Sequence, residues 1–170
     1  MTAVSSFAPI EGDFARVLIL GSMPGIASLT AGQYYAHPQN AFWKIMQEIL
    51  SIPANADYEV RVEALKRSNI VLWDVLESCI RPGSMDAAID MDSAKVNDIR
   101  ALLQRNTGIN IICFNGGIAE KIFKKRVLPS LGNFSVRYIR LPSTSPAHAS
   151  MSFENKVMAW RAAIKNSEQG

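Results

Sequence analysis

Four short apolar runs constrain this chain more than any other feature. RVLIL (16–20), NIVLWDV (69–75), NIICF (110–114) and SVRYIRL (135–141) are rich in β-branched and aromatic residues. Three of them give way at once to Gly21, Asn115 or Pro142, residues that end strands. Between the runs lie segments with helical spacing. Phe42, Trp43, Ile45, Met46, Ile49 and Leu50 fall on one face over 39–50, and Val60, Ala64 and Leu65 do so over 57–67. Ser93 is expected to cap a helix whose stripe is Val96, Ile99, Leu102 and Leu103. Two more helices are predicted over 118–125 and 152–164. Strands that alternate with helices predict an α/β fold with a four-stranded parallel sheet covered on both faces.

The 170 residues are expected to form a single domain, 1–170, without linker or repeat and with a frayed tail at 166–170. A formal charge of +3 permits a polyanionic partner without requiring one. Cys79 and Cys113 lie far apart among apolar residues and read as buried free thiols. Two thiols cannot complete an iron–sulfur cluster or an all-cysteine zinc site, and His37 and His148 are the only histidines, so no metal is expected. No apolar run reaches the ~20 residues that span a bilayer. The N-terminus lacks a charged segment followed by an apolar one. An intracellular, cytoplasmic protein is expected.

In open parallel sheets, ligands bind beyond the carboxyl ends of the strands. The segments that follow the four runs are GSMPGIASLTAGQYYAHPQN, WDVLESCIRPGSMD, FNGG and LPSTSPAHAS. They are rich in Gly, Ser, Asn and Pro and hold both histidines. GSMPG fits neither the GxGxxG dinucleotide fingerprint nor the P-loop. It reads as a tight turn, or as a backbone surface that a phosphate or a base edge can approach closely.

The combination of GSMPG, YYAHPQNAFW and a later PSTSP resembles the uracil-DNA glycosylase superfamily, in particular its hypoxanthine-DNA (deoxyinosine) glycosylase branch. The resemblance runs from about Ser6 to Trp160. It implies a three-layer α/β/α sandwich and a monofunctional enzyme that cuts the bond between a damaged base and deoxyribose. Such enzymes act on a base rotated out of the duplex, at a cost of a few kcal/mol that the pocket must return. The resemblance places a stacking ring at Tyr35, and base–aromatic stacking contributes about 1–3 kcal/mol. It places the catalytic amide at Asn40, in PQNAFW, where it would hold a water against the sugar. A neutral amide is no strong base, so that role is one of positioning and charge stabilisation. Asn40 is also a natural cap for a helix that starts near Ala41.

Asn115 maps to a base-reading amide, whose carbonyl can accept from N1–H and whose NH2 can donate to O6 of hypoxanthine. Gly21, Ser22 and Met23 complete the expected base-binding set, and Ser143, Thr144, Ser145 and His148 the expected DNA contacts. His148 or Met151 is the expected wedge into the gap left by the flipped base. No lysine stands in the motifs, so no Schiff-base strand cleavage is expected, and no organic cofactor is implied. The expected partner is DNA that carries deaminated bases, with the protein a monomer.

Two positions depart from the uracil-removing branches. Met23 stands where these carry Asp or Asn, and Leu141 precedes Pro142 and Ser143 where they often carry His. Methionine positions no water, which moves the amide role to Asn40. The alternatives are a uracil- or xanthine-preferring glycosylase, or an inactive nucleic-acid-binding module. Asp74, Asp86 and Asp90 flank the loop after the second strand without an assigned role. Lys121, Lys124, Lys125 and Arg126, and Arg137 with Arg140, form basic clusters that read as solvated faces unless they share the motif face.

Overall fold

Every residue of β2 (Val17–Gly21) and β3 (Ile70–Asp74) is buried, so both faces of these strands must be covered. The computed structural model describes residues 2–169. β2 pairs in parallel with β3 on one side and with β6 (Ile111–Asn115) on the other, and β6 pairs in parallel with β7 (Arg137–Leu141). The sheet order is β3-β2-β6-β7.

Alternation along the strands sorts two cores. Val17, Ile19, Ile70, Leu72, Ile111 and Cys113 point to one face. There they meet α2 (Phe42–Leu50), α3 (Tyr58–Arg67) and α7 (Phe153–Asn166) through Ile45, Leu65 and Trp160. Leu18, Leu20, Val71, Trp73, Ile112 and Phe114 point to the other face. They pack on α4 (Ile99–Arg105), α5 (Gly117–Arg126) and α6 (Leu128–Leu131) through Leu102, Phe123 and Leu131. The three-layer α/β/α sandwich expected from the sequence is therefore the architecture found. Cys79 and Cys113 are buried free thiols, as expected. No helix among the described residues is long and apolar enough to cross a membrane.

The sequence reading missed a second sheet. β1 (Ala3–Ser5), β4 (Leu76–Ile80) and β5 (Asp90–Val96) pair antiparallel in the order β1-β4-β5. The predicted helix start at Ser93 is wrong, because Ser93 lies inside β5. Its hydroxyl accepts from the Ile80 N–H and donates to the Asp90 carbonyl. The cap of α4 is Asp98, whose Oδ1 accepts from the Ala101 N–H at 3.0 Å. Val96 fits the helical stripe by spacing alone. A short α1 (Ile26–Ala31) follows GSMPG and was also not predicted. Part of the predicted frayed tail is ordered: α7 runs to Asn166 and a 3-10 turn covers Ser167–Gln169, while Gly170 lies outside the described residues.

β2 is the switch point of the topology. The chain crosses from β2 to β3 on one side, then passes back over to β6 on the other. A crevice opens beyond the carboxyl ends of the strands at such a point.

Candidate active site

Gly21 and Asp74 are register partners at the ends of β2 and β3, and Asn115 ends β6. A cavity of about 720 Å³ opens above them. That is a usual size for a small-molecule or base-binding site. Its lining draws on the loops after all four parallel strands. Gly21, Ser22, Met23, Tyr35, His37, Asn40, Asp74, Asp86, Asn115, Ser143, Thr144, Ser145 and His148 all contribute. Every residue singled out from the sequence as base-binding, catalytic or DNA-binding thus reaches one cavity. Met151 does not line it.

The aromatic loop is held by bonds its own rings make. Trp43 Nε1 donates to the Tyr34 carbonyl at 2.7 Å, and the Tyr34 hydroxyl donates to the Ala8 carbonyl. The Tyr34 N–H donates to the Tyr58 hydroxyl, and the Ala36 N–H to Ser28 Oγ. Tyr35 sits between these anchored neighbours with φ of 53°, a left-handed conformation that a side chain adopts only where its surroundings impose it. Its ring lies on Phe42, with centroids 4.3 Å apart and planes 27° from parallel. Most rings in this loop are therefore structural. Tyr34 and Tyr35 both border the cavity, but Tyr34 meets Phe7 edge-on whereas Tyr35 is stacked on Phe42.

Asn40 Oδ1 accepts from the Phe42 N–H at 2.9 Å, and its backbone N–H donates to the His37 carbonyl. The expected N-cap role is not met: the N-cap of α2 is Ala41, which makes no side-chain cap bond, and Asn40 lies one residue before it in a turn closed onto Phe42, the first residue of α2. The bond fixes the amide and leaves Nδ2 and the second Oδ1 lone pair for a water. The next residue ties this loop to the PSTSP loop, because the Ala41 N–H donates to the Thr144 carbonyl. His37 Nδ1 accepts from the Gln39 N–H, which leaves the ring proton on Nε2.

Asn115 is locked by Thr144. The Thr144 N–H donates to Asn115 Oδ1, and Asn115 Nδ2 donates to Thr144 Oγ1, both at 2.9 Å. A backbone N–H can only donate, so the amide has one orientation. The neighbouring Gly116 has φ of 92°, and a Cβ there would lie 3.1 Å from Ser143 Cβ. Glycine at this position lets the two loops close on each other. Trp160 Nε1 anchors the PSTSP loop through the Pro142 carbonyl.

GSMPG is held from the β4–β5 connection. Arg81 is buried, and its guanidinium donates to the Met23, Pro24 and Gly83 carbonyls. The Ile26 N–H donates to Ser84 Oγ. Met23 and Leu141, the two departures from the uracil-removing pattern, are both core residues.

The floor of the cavity is different. Asp74 is 3% exposed, and its Oδ2 has no hydrogen-bond partner; the buried Tyr35 hydroxyl has none either. Burial pushes the Asp74 carboxyl up to about 7; the Asp86 carboxylate adds to this and Arg81 opposes it. Burial also raises the Tyr35 hydroxyl, with the Asp74 charge adding to it and the neighbouring Asn115 amide opposing it. Asp86 is raised by burial, against the Ser22 hydroxyl and Arg81. A Cβ on Gly21 would sit 2.5 Å from Asp74 Oδ1 and 2.8 Å from the Tyr35 hydroxyl, so only glycine leaves these groups in place. Sequence reasoning named Asp74 and Asp86 without a role and missed Arg81. The available signal was an aspartate inside an otherwise apolar run at a strand end.

The basic clusters divide. Lys121, Lys124 and Lys125 line a groove on α5 with Arg140 and Ile118, and Ile118 also borders the cavity. Arg126 instead donates to the Met91 carbonyl, and Arg137 to the Asn166 carbonyl. Among the described residues, no group of three or more His, Cys, Asp or Glu side chains could hold a metal ion.

Comparison with known proteins adds an independent line. Over 161 residues, 94% of this chain and 97% of the relative, the sequence is 30% identical to a protein named hypoxanthine DNA glycosylase from Methanosarcina acetivorans. Over 111 residues, 65% of this chain and 69% of the relative, it is 36% identical to a protein of the same name from Methanosarcina barkeri. The fold superposes with a TM-score of 0.80 on the solution structure of a candidate uracil DNA glycosylase from Methanosarcina acetivorans. That match covers 98% of this chain and 99% of the other at 30% identity. The family model of the Uracil DNA glycosylase superfamily matches residues 9–165, and the chain belongs to that superfamily.

Proposed function

We propose that this protein is a monofunctional DNA glycosylase that removes hypoxanthine from DNA. It hydrolyses the N-glycosidic bond of a flipped deoxyinosine to give free base and an abasic site. The observation that carries the reading is the single cavity lined from all four strand-end loops, with Tyr35, Asn40, Asn115 and Ser143 to Ser145 brought together. The names of the relatives support hypoxanthine as the base. No second chain is needed to build the cavity, and DNA is the partner.

The chemistry follows from the residues. The Tyr35 ring, backed by Phe42, offers a flat surface for the extruded purine. Asn115 presents one remaining N–H and one remaining lone pair in fixed positions, which suits the O6 and N1–H of hypoxanthine. Adenine offers the opposite pattern and meets two mismatches. Asn40 holds a water toward C1′ through the groups that its bond to Phe42 leaves over. Ser143 and Ser145 grip the flanking phosphates, and the α5 lysines extend that contact along the backbone.

The test is incubation with duplex oligonucleotides that carry deoxyinosine, deoxyuridine or deoxyxanthosine, followed by alkaline cleavage. Deoxyinosine is expected to give the fastest strand break after alkali and none before it. No abasic product from any substrate overturns the reading.

A further inference from the structure

Three buried side-chain polar atoms lack partners among the described residues, and two of them meet at the cavity floor: Tyr35 Oη and Asp74 Oδ2. Folded proteins seldom leave such atoms unpaired unless water, a ligand or a catalytic role accounts for them. Asp74 belongs to the strand end itself. Asn97 Nδ2 fixes its backbone by donating to the Asp74 and Leu76 carbonyls. Gly21, its register partner, supplies no side chain that would screen the carboxyl. The result is a rigidly placed acid, 3% exposed, that borders the space where the base enters.

We infer that Asp74, in its un-ionised form, donates a proton to the departing purine. The inference rests on the hypoxanthine reading above and adds a residue to it. As the C1′–N9 bond breaks, its electron pair passes into the purine. The Asp74 proton moves to N7, which is conjugated with N9, so the base leaves neutral instead of as an anion. Water held at Asn40 forms the new bond to C1′, and the proton it sheds passes to solvent. Asp74 recovers a proton from solvent after the base has gone.

The surroundings fit an acid of this kind. The charged and titratable groups that face Asp74 are Tyr34 and Tyr35 from the aromatic loop, and Asp86 and Arg81 from the β4–β5 connection. Arg81 spends its donors on the Met23, Pro24 and Gly83 carbonyls. Asp86 and burial together outweigh it, and the carboxyl titrates at about 7. An acid that titrates near the working pH is well matched to proton donation.

The experiment is single-turnover excision from a deoxyinosine duplex between pH 5.5 and 9. The parent rate is expected to be level at low pH and to fall about tenfold per unit above about pH 7, because only the protonated acid donates. Asp74→Asn keeps the shape and is expected to be about 10²–10⁴-fold slower at pH 6, with no such fall. A substrate-side measurement needs no variant: 7-deazadeoxyinosine has no N7, so the parent should excise it far more slowly and without the alkaline fall. A parent rate that is flat from pH 6 to 9, or an Asp74→Asn rate within about threefold of the parent, overturns the inference and leaves the glycosylase reading standing. No excision of deoxyinosine by the parent at any pH overturns both.

Discussion

The wall and the floor of the cavity are built on opposite terms. Along the wall, polar side chains are paired within the protein, Asn40 with Phe42 and Asn115 with Thr144, and from the core behind it Trp43 holds the Tyr34 carbonyl and Trp160 the Pro142 carbonyl. At the floor, Asp74 Oδ2 and the Tyr35 hydroxyl are buried and unpaired. Pairing is what rigid placement requires. An unpaired buried polar atom costs about 1–3 kcal/mol, a cost that water, a ligand or a catalytic role must account for. The wall positions and the floor awaits a partner. The third unpaired atom, Asn110 Oδ1, lies at the opposite end of β6 near Ser167, so an orphan alone does not mark a site. What distinguishes the floor is two orphans together in a cavity.

The sharpest way to break this contrast is at Asn40, the wall residue proposed to position water. Asn40→Ala should slow excision of hypoxanthine about 10²–10³-fold, as the loss of a positioned transition-state donor does. It should also lower stability by about 1 kcal/mol through the lost turn bond to the Phe42 N–H. Circular dichroism melting and single-turnover rates separate the two effects. A variant that melts lower but cuts at the parent rate would reduce Asn40 to a structural turn residue.

Gly21→Ala probes wall and floor at once. Its Cβ would meet Asp74 Oδ1 and the Tyr35 hydroxyl at less than contact distance, so one of them must move. Activity is expected to fall about a hundredfold, of the order seen when a catalytic group is misplaced by about 1 Å. Tyr35→Ala removes the flat surface and should cost about ten- to a hundredfold in excision, in line with the stacking energy. Tyr35→Phe keeps the ring and deletes an unpaired hydroxyl, so the folded apo protein should be no less stable. A clear loss of apo stability in Tyr35→Phe would mean that the hydroxyl is paired after all.

The floor also has a signature in stability. Asp74 titrates at about 7 in the folded chain, above its ordinary 3.8. The folded state therefore binds the proton more tightly than the unfolded state does. This stabilisation is fully present below about pH 4 and is lost as pH rises through about 7. A tenfold difference in proton affinity between the two states corresponds to about 1.4 kcal/mol, so a loss on the order of a few kcal/mol is expected across that window. Asp74→Asn should flatten it in urea titrations at pH 5 and 8, and an unchanged pH dependence would place the buried charge elsewhere. The smallest effect belongs to the rim. Replacing Lys121 and Lys125 with Ala should weaken binding to all duplexes alike and lower the salt slope by about one per lysine.

The resemblance in GSMPG, PQNAFW, FNGG and PSTSP already carried the cavity's membership, and the alternation of apolar runs carried its sheet. Both are local signals: a strand buried on two faces must be continuously apolar, and a turn at its end must use Gly, Asn or Pro. The antiparallel sheet was less visible. β5 reads DMDSAKV, with few β-branched residues, and its pairing with β4 joins distant parts of the chain. The false cap at Ser93 arose there. Ser and Asp are equal candidates by type, and only the ladder to Ile80 gave the hydroxyl of Ser93 to a strand.

By itself, then, the sequence determined the layered α/β architecture, the family, and which loops hold the candidate chemistry. Periodicity and turn residues are written in neighbouring positions, so these can be read one segment at a time. Only the tertiary structure decided the orientation of Asn115, the left-handed backbone of Tyr35 and the isolation of Asp74 at the floor. Each depends on groups far away in the chain: Thr144 for the first, Trp43 and Tyr58 for the second, Gly21, Arg81 and Asp86 for the third. Whether a buried polar atom finds a partner is a property of the assembled fold, and no single stretch of sequence contains it.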